Sequence, residues 1–214
     1  FFNCAATGKC VYKDNFDSFL RNEIQTCSSI VIAFSITDHS MGPRMKMYDD
    51  RQFCNGHRTV TMGMPMAYII SGPYSDEHNL QTIVRGRGEV GGNYIAGVAT
   101  DETDPQGEID SLIANLDYAL KNKYVQSPNF LGVGGMKIFR DLIYVMRGLM
   151  KEDHRFYKAH GFYDDLPQKQ KGTILKMKLV GLLMNPKLME KAGSAMKEGM
   201  ISPYKKVLDK VSKQ

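Results

Sequence analysis

The residues best placed to do chemistry lie in two short polar stretches, each closing an apolar run. The first, Ser35-Ile36-Thr37-Asp38-His39, ends the run SSIVIAFSIT and brings two hydroxyls, a carboxylate and an imidazole together. The second, Ser71-Gly72-Pro73-Tyr74, follows MAYII and sets an aromatic ring near a glycine that lets a planar ligand approach the backbone. Open α/β sheets place their ligands at the carboxyl ends of parallel strands. Both stretches are therefore candidate ligand-binding positions. Neither contains a nucleophile–base pair or an acid–base dyad, so no catalytic residue is assigned.

Other chemistry-bearing groups point elsewhere. The four cysteines, Cys4, Cys10, Cys27 and Cys54, have no Cys-x-x-Cys spacing. Two thiolates at Cys4 and Cys10 do not complete a four-ligand metal site. No secretory signal is seen, so the thiols are expected reduced and the protein cytoplasmic. His154 and His160 are six residues apart, not the i, i+4 spacing that presents two imidazoles to one metal. With Tyr157, Tyr163, Asp164 and Asp165 they read as solvated or aromatic-packed helix ends. Asp50-Arg51 reads as a structural tie, and Arg85-Gly86-Arg87-Gly88 as a helix terminus. No metal site is assigned.

The scaffold that must position these residues is legible as an alternation. Residues 14–27 have Phe16, Phe19, Leu20 and Ile24 at helical spacing, with Asp14 or Asn15 as cap. Residues 29–36 (SIVIAFSI) read as a strand covered on both faces. Helices are expected over 42–53, 77–88 and 106–123, and strands over 66–71 and 93–100; an acidic loop, Asp101-Glu102-Thr103-Asp104, follows the last strand. This order predicts an α/β fold with a parallel sheet. The first strand is too apolar for a solvent-facing edge. A further strand is expected beside it, from an N-terminal βαβ segment or from another subunit.

Beyond residue 124 the pattern becomes helical. Gly132, Gly134 and Gly135 read as a flexible lead-in, Met136–Met150 as a helix burying Ile138, Phe139, Leu142 and Ile143, and 173–184 as a strongly apolar helix. Two more helices are expected over 186–198 and 203–211. The expected division is an α/β portion, 1–124, and an all-helical extension, 125–214. Charge divides similarly: residues 1–120 carry 9 Lys+Arg and 15 Asp+Glu (−6), residues 121–214 carry 19 and 8 (+11). The interleaving of basic and aromatic residues that marks nucleic-acid modules is missing, so the basic tail reads as a solvated helical face or as a surface for an acidic partner. No stretch has the 18 or so apolar residues of a membrane span.

Phe34–Arg51, with Lys46 separated by three residues from Asp50-Arg51, resembles the NADPH-dependent FMN reductase and iron–sulfur flavoprotein group of the flavodoxin-like superfamily. MAYIIS with Gly72-Pro73 resembles that group's next strand and flavin-edge loop. Phe1–Asn15 resembles its cysteine-bearing linker, and GGMKIFRDLIYVMRGLMKEDHRFYKAHGFYDD its C-terminal extensions. The resemblance implies a flavodoxin-like three-layer parallel sheet, incomplete at the N-terminus, with a helical extension. It implies an FMN-dependent oxidoreductase or electron-transfer flavoprotein, a nicotinamide cofactor or redox protein as donor, and a homo-oligomer. An iron–sulfur cluster at Cys4 and Cys10 is the further cofactor it raises. Ser35, Ile36, Thr37, Asp38, His39, Ser71, Gly72, Pro73 and Tyr74 are the implied flavin contacts. Ser35 and Thr37 replace the group's loop Pro and Tyr, and its Ser/Thr-rich phosphate loop is not found in these 214 residues. The alternative is a non-catalytic flavodoxin-like subunit that docks a redox partner through its basic tail.

Overall fold

The computed structural model describes residues 2–164, 170–183, 188, 195, 198, 201–202, 204–205 and 208–211. The helices expected over 186–198 and 203–211 fall largely outside these residues, as does Asp165. The chain divides into two compact units, Tyr12–Asp141 and Phe1–Val11 with Leu142–Gln214. The boundary read at residue 124 falls inside the first of them.

Unit Tyr12–Asp141 contains the sheet. Strands β1 (Ile30–Thr37), β2 (Ser40–Met41), β3 (Pro65–Ser71) and β4 (Tyr94–Thr100) lie in the order β2-β1-β3-β4. β1, β3 and β4 are parallel, while β2 is antiparallel to β1. The α/β alternation thus forms as expected, with a mixed, mostly parallel sheet. Around it run α2 (Phe16–Phe19), which continues as a π-type turn over Leu20–Ile24, then α3 (Pro43–Arg51), α4 (His78–Gly91) and α5 (Pro105–Lys121).

Two cores sandwich the sheet. On one face the alternate residues Ile32, Phe34 and Ile36 join Tyr68 and Ile70 and meet Leu80 and Val84 of α4 and Met45 of α3. Leu80 and Ile70 are each 1% exposed, and burial of such side chains stabilises by about 1.5–3 kcal/mol apiece. On the other face the small residues Ala67, Ala96 and Ala99 let α5 approach through Leu112, Ile109 and Leu116.

Coverage stops there, which corrects the expectation that β1 is enclosed. α5 lies over β4 and β3, so on β1 and its neighbour Val31 stays 47% exposed and Ile69 38%. The outer edge of β1 is paired only at Ile36 and Thr37, by β2. Among the described residues no strand pairs that edge from Ile30 to Ser35.

Glycine readings also change. α4 passes through Gly86 and Gly88 and ends at Gly92, whose φ of 73° is the left-handed conformation that stops a helix. Gly132, Gly134 and Gly135 are not a flexible lead-in but lie within α6 (Phe130–Val145). A Cβ on Gly132 would meet the Glu89 carbonyl at 2.8 Å, and one on Gly135 would meet Val90 at 2.7 Å. These two are glycines because the helix seats closely. Ile138 and Leu142 of α6, expected buried, are 68% and 40% exposed, whereas Ile143 is fully buried.

In the other unit, α1 (Phe2–Thr7) rests on α7 (Lys151–Ala159). Cys4, Ala5, Met150 and Tyr157 are buried there, so the segment read as a cysteine-bearing linker starts as a helix. α8 (Lys171–Leu183) crosses residue 148 so closely that a Cβ on Gly148 or Gly181 would collide with the other segment's backbone.

Candidate functional site

The carboxyl ends of β1, β3 and β4 bring three turns to one edge of the sheet. Ser35 and Ile36, expected to end the first strand, and Thr37, expected just beyond it, are the last residues of β1. They belong to a tight hairpin, with Ile36 opposite Met41 and Thr37 opposite Ser40. Its two turn residues, Asp38 and His39, have φ of 50° and 60°, as a two-residue hairpin turn of the primed type demands. Only Asp38 and His39 are therefore loop residues here. The Gly42 amide donates to the Ser35 carbonyl at 3.2 Å, and a Cβ on Gly42 would meet that same oxygen at 3.1 Å.

Ser71 pairs with Ser35 across the parallel ladder, which places the second stretch beside the first. Gly72 has φ of 114°, and a Cβ there would meet Ile36 Cβ at 3.1 Å. Its glycine is accounted for by backbone conformation and by close approach to β1. Pro73 precedes a single helical turn, Tyr74–Asp76. Tyr74 turns its ring toward the Leu80–Val84 core instead of covering the edge. Burial pushes its phenol above the ordinary value. It lines a cavity of about 270 Å³ with Val84, Arg85, Ile95 and Val98.

Acidic side chains take up the donors at this edge. Ser71 Oγ donates to Asp101 Oδ2 at 2.6 Å, and the Gly72 amide donates to Asp101 Oδ1 at 2.8 Å. Those bonds, the Ser71 hydroxyl foremost, hold the Asp101 carboxyl below its usual range. Ser75 donates to Glu102 from its hydroxyl at 2.6 Å and from its amide at 3.1 Å. The Thr100 amide and hydroxyl donate to Glu108 Oε2 at 2.6 and 2.9 Å. His39 Nδ1 lies 2.8 Å from Glu77 Oε1, and that bond raises the His39 pKa above its ordinary 6.5. Sequence reading passed over Glu77, Asp101 and Glu102 as site residues, although the acidic loop was visible, because their partners lie 27 to 38 positions away.

For FMN the fit divides by moiety. Turns Asp38–His39 and Gly72–Pro73 offer backbone and an imidazole to a flat ring. The phosphate finds no such help: Asp101 and Glu102 already accept from Ser71, Gly72 and Ser75, and Glu77 pairs with His39, and carboxylates so placed disfavour an anion. The residues present fit the ring and not the phosphate.

The remaining candidates are tied into the fold. Arg51 forks onto Asp14 at 2.7 and 2.9 Å and lies 4.3 Å from the Phe16 ring centre. Arg51 pulls the Asp14 carboxyl down to about 2. Lys46 pairs with Asp50 one turn on. Arg87 reaches Asp49 at 2.7 Å and Arg85 reaches Glu89 at 2.5 Å, so neither arginine is held ready for a phosphate. Burial pushes Tyr68, next to Asp49, up to about 12.

In the helical unit, His154 Nδ1 shares a 3.1 Å hydrogen bond with the Tyr163 hydroxyl. Burial lowers the His154 pKa and raises those of Tyr157 and Tyr163. His160 donates from Nδ1 to the Phe156 carbonyl at 2.8 Å and stacks on that ring. The histidines are thus aromatic-packed. Among the described residues no group of three or more His, Cys, Asp or Glu side chains is arranged to hold a metal ion. No helix among them is long and apolar enough to cross a membrane.

Comparison of the chain with protein-family models, with curated proteins and with solved structures returned no match.

Proposed function

We propose that the chain is part of an FMN-dependent oxidoreductase or electron-transfer flavoprotein that takes electrons from NAD(P)H or a protein donor, acting in the cytoplasm as a homo-oligomer. One observation carries this reading. Among the described residues β1, β3 and β4 run in one direction across the sheet, so a further parallel strand added at the outer edge of β1 would create a reversal of strand order there. Ligands of open α/β sheets bind at such a reversal, beyond the carboxyl ends of the strands. The Asp38–His39 turn stands at that edge, with Gly72–Pro73 next to it. The same strand has its edge unpaired from Ile30 to Ser35 and Val31 uncovered, which supports a further strand and helix completing the site and bringing the phosphate cradle. When bound, FMN supplies hydride acceptance and electron transfer. The role left to this chain is to orient the ring through backbone groups at Asp38, His39, Gly72 and Pro73, and to bias its potential by the surrounding carboxylates.

A second reading has its own support. Asp101 and Glu102 already satisfy Gly72 and Ser75, as expected for a non-catalytic subunit of this fold that docks a redox partner through its basic tail. Titration of the 214-residue chain with FMN and with riboflavin, followed by quenching of flavin fluorescence, separates the two. The flavin reading expects both to bind within about tenfold of each other, since the phosphate adds less than about 1.4 kcal/mol here. Failure of either flavin to bind overturns it in favour of the docking subunit. FMN binding a hundredfold tighter than riboflavin overturns the division of the site between ring and phosphate.

A further inference from the structure

The outward face of α8 fits a specific kind of surface. Its inward face is settled by Ile174, 7% exposed, and by Gly181, which seats against Gly148. At 100° per residue, Leu175, Leu182 and Leu183 lie within about 60° of Leu179, on the side opposite Ile174 and Gly181. These four leucines are 60%, 78%, 77% and 52% exposed in that order. A helix that is apolar within and apolar without has a second face to bury.

Charge borders that stripe on both sides. Lys176 lies about 60° from Leu179 in one direction, Lys171 and Lys178 about 80–100° in the other. All three are exposed. No Asp or Glu occurs between Asp165 and Glu190, whereas five lysines do, and no arginine follows Arg155. Protein interfaces favour aromatic residues and arginine and are poor in lysine; this face has leucine and lysine with Gly172, and no aromatic residue or arginine. A second copy would bring the lysine borders together, with repulsion. A leucine stripe flanked by exposed lysines matches a helix lying in a membrane interface.

We propose that α8 docks the protein on anionic lipid surfaces, with Leu175, Leu179, Leu182 and Leu183 entering the headgroup boundary and Lys171, Lys176 and Lys178 pairing with lipid headgroups. This does not depend on the flavin reading. It also gives the basic tail an occupant other than an acidic redox partner.

Co-sedimentation of the 214-residue chain with phosphatidylcholine vesicles, with and without about 30 mole per cent phosphatidylserine to supply the anionic surface, tests it. Each lysine near the surface is worth about fivefold, so the anionic vesicles should bind at least about tenfold better. Salt near 1 M, where the Debye length is about 3 Å, should bring them close to the neutral ones. Leu179→Ser with Leu183→Ser should lower binding at least about tenfold, since two exposed leucines are withdrawn from the lipid. Lys178→Ser should lower it about fivefold, and Lys123→Asn, which removes a charge outside α8, by less than about twofold. Circular dichroism checks that the variants fold. Equal losses in Lys178→Ser and Lys123→Asn, or binding indifferent to the leucines, overturn the proposal. So does failure to bind anionic vesicles, whether the chain then dimerises through the leucines or binds polyglutamate instead.

Discussion

Gly86 and Gly88 allow one substitution, made twice on the same helix, to separate intrinsic helix preference from packing. Both lie inside α4, and neither has a left-handed φ. A Cβ on Gly86 meets nothing within 4 Å, whereas a Cβ on Gly88 would come within 2.5 Å of Ile95 Cγ1 and Cδ1. Alanine in a helix interior is favoured over glycine by about 0.5–1 kcal/mol. Gly86→Ala should therefore stabilise by about that amount and raise Tm by roughly 1–4 °C in a chain of this length. Gly88→Ala has the same gain but must displace a β-branched side chain packed on the sheet core, at a cost of about 1–3 kcal/mol. The shared gain cancels, so the two variants should differ by about 1–3 kcal/mol. Removing Ile95 Cγ1 and Cδ1 with Ile95→Ala should recover much of this loss, as a coupling of similar size in a double-mutant cycle. Urea unfolding followed by far-ultraviolet circular dichroism measures all four, and the midpoints are comparable if m is unchanged. If Gly88→Ala is as stable as Gly86→Ala, the close seating of α4 on β4 is wrong, and the Arg-Gly-Arg-Gly segment needs another reason for its glycines.

Two pH-dependent outcomes follow from the ion pairs. The folded-state pKa of Asp14 is depressed from 3.8 to about 2, so its stabilising bond to Arg51 is complete above about pH 4 and lost as pH falls through about 2. Asp14→Asn should lower the urea midpoint at pH 6 and leave it equal to the parent's near pH 2; a deficit that persists at pH 2 would assign the loss to something other than the carboxylate. The His39 pKa is raised by Glu77, so the stabilisation from that pair is complete below the unfolded value of about 6.5 and disappears as pH rises through the folded one. NMR titration of the imidazole should place its pKa above 6.5 in the parent and nearer 6.5 in Glu77→Gln; an unchanged midpoint would show that the two side chains do not meet in solution.

Much of the scaffold was legible because its signals are local. The β-branched runs at Ile30–Ile36 and Met66–Ser71 form adjacent parallel strands, and the periodic segment after Pro105 forms a helix that Asp104 caps by accepting from the Gly107 amide at 3.1 Å. The apolar residues of α5 are only partly covered: Leu112 is buried, but Ile113 is 56% exposed. Periodicity identifies an amphipathic helix, and the neighbour in space decides how wide its buried face becomes.

The sequence by itself determined the strands, the helices, their alternation and the concentration of positive charge beyond residue 120, because backbone preference, hydrophobic period and charge are properties of neighbouring residues. Only the tertiary structure decided which polar residues share a site. Thr37 joined the strand expected to end at Ile36 once Ser40-Met41 folded back through a two-residue turn. The donors of Ser71, Gly72 and Ser75 were assigned to Asp101 and Glu102 by the pairing of β3 with β4. The uncovered side of β1 and the outward leucines of α8 are likewise outcomes of packing. Burial depends on what lies opposite in space, and no local window of sequence contains that partner.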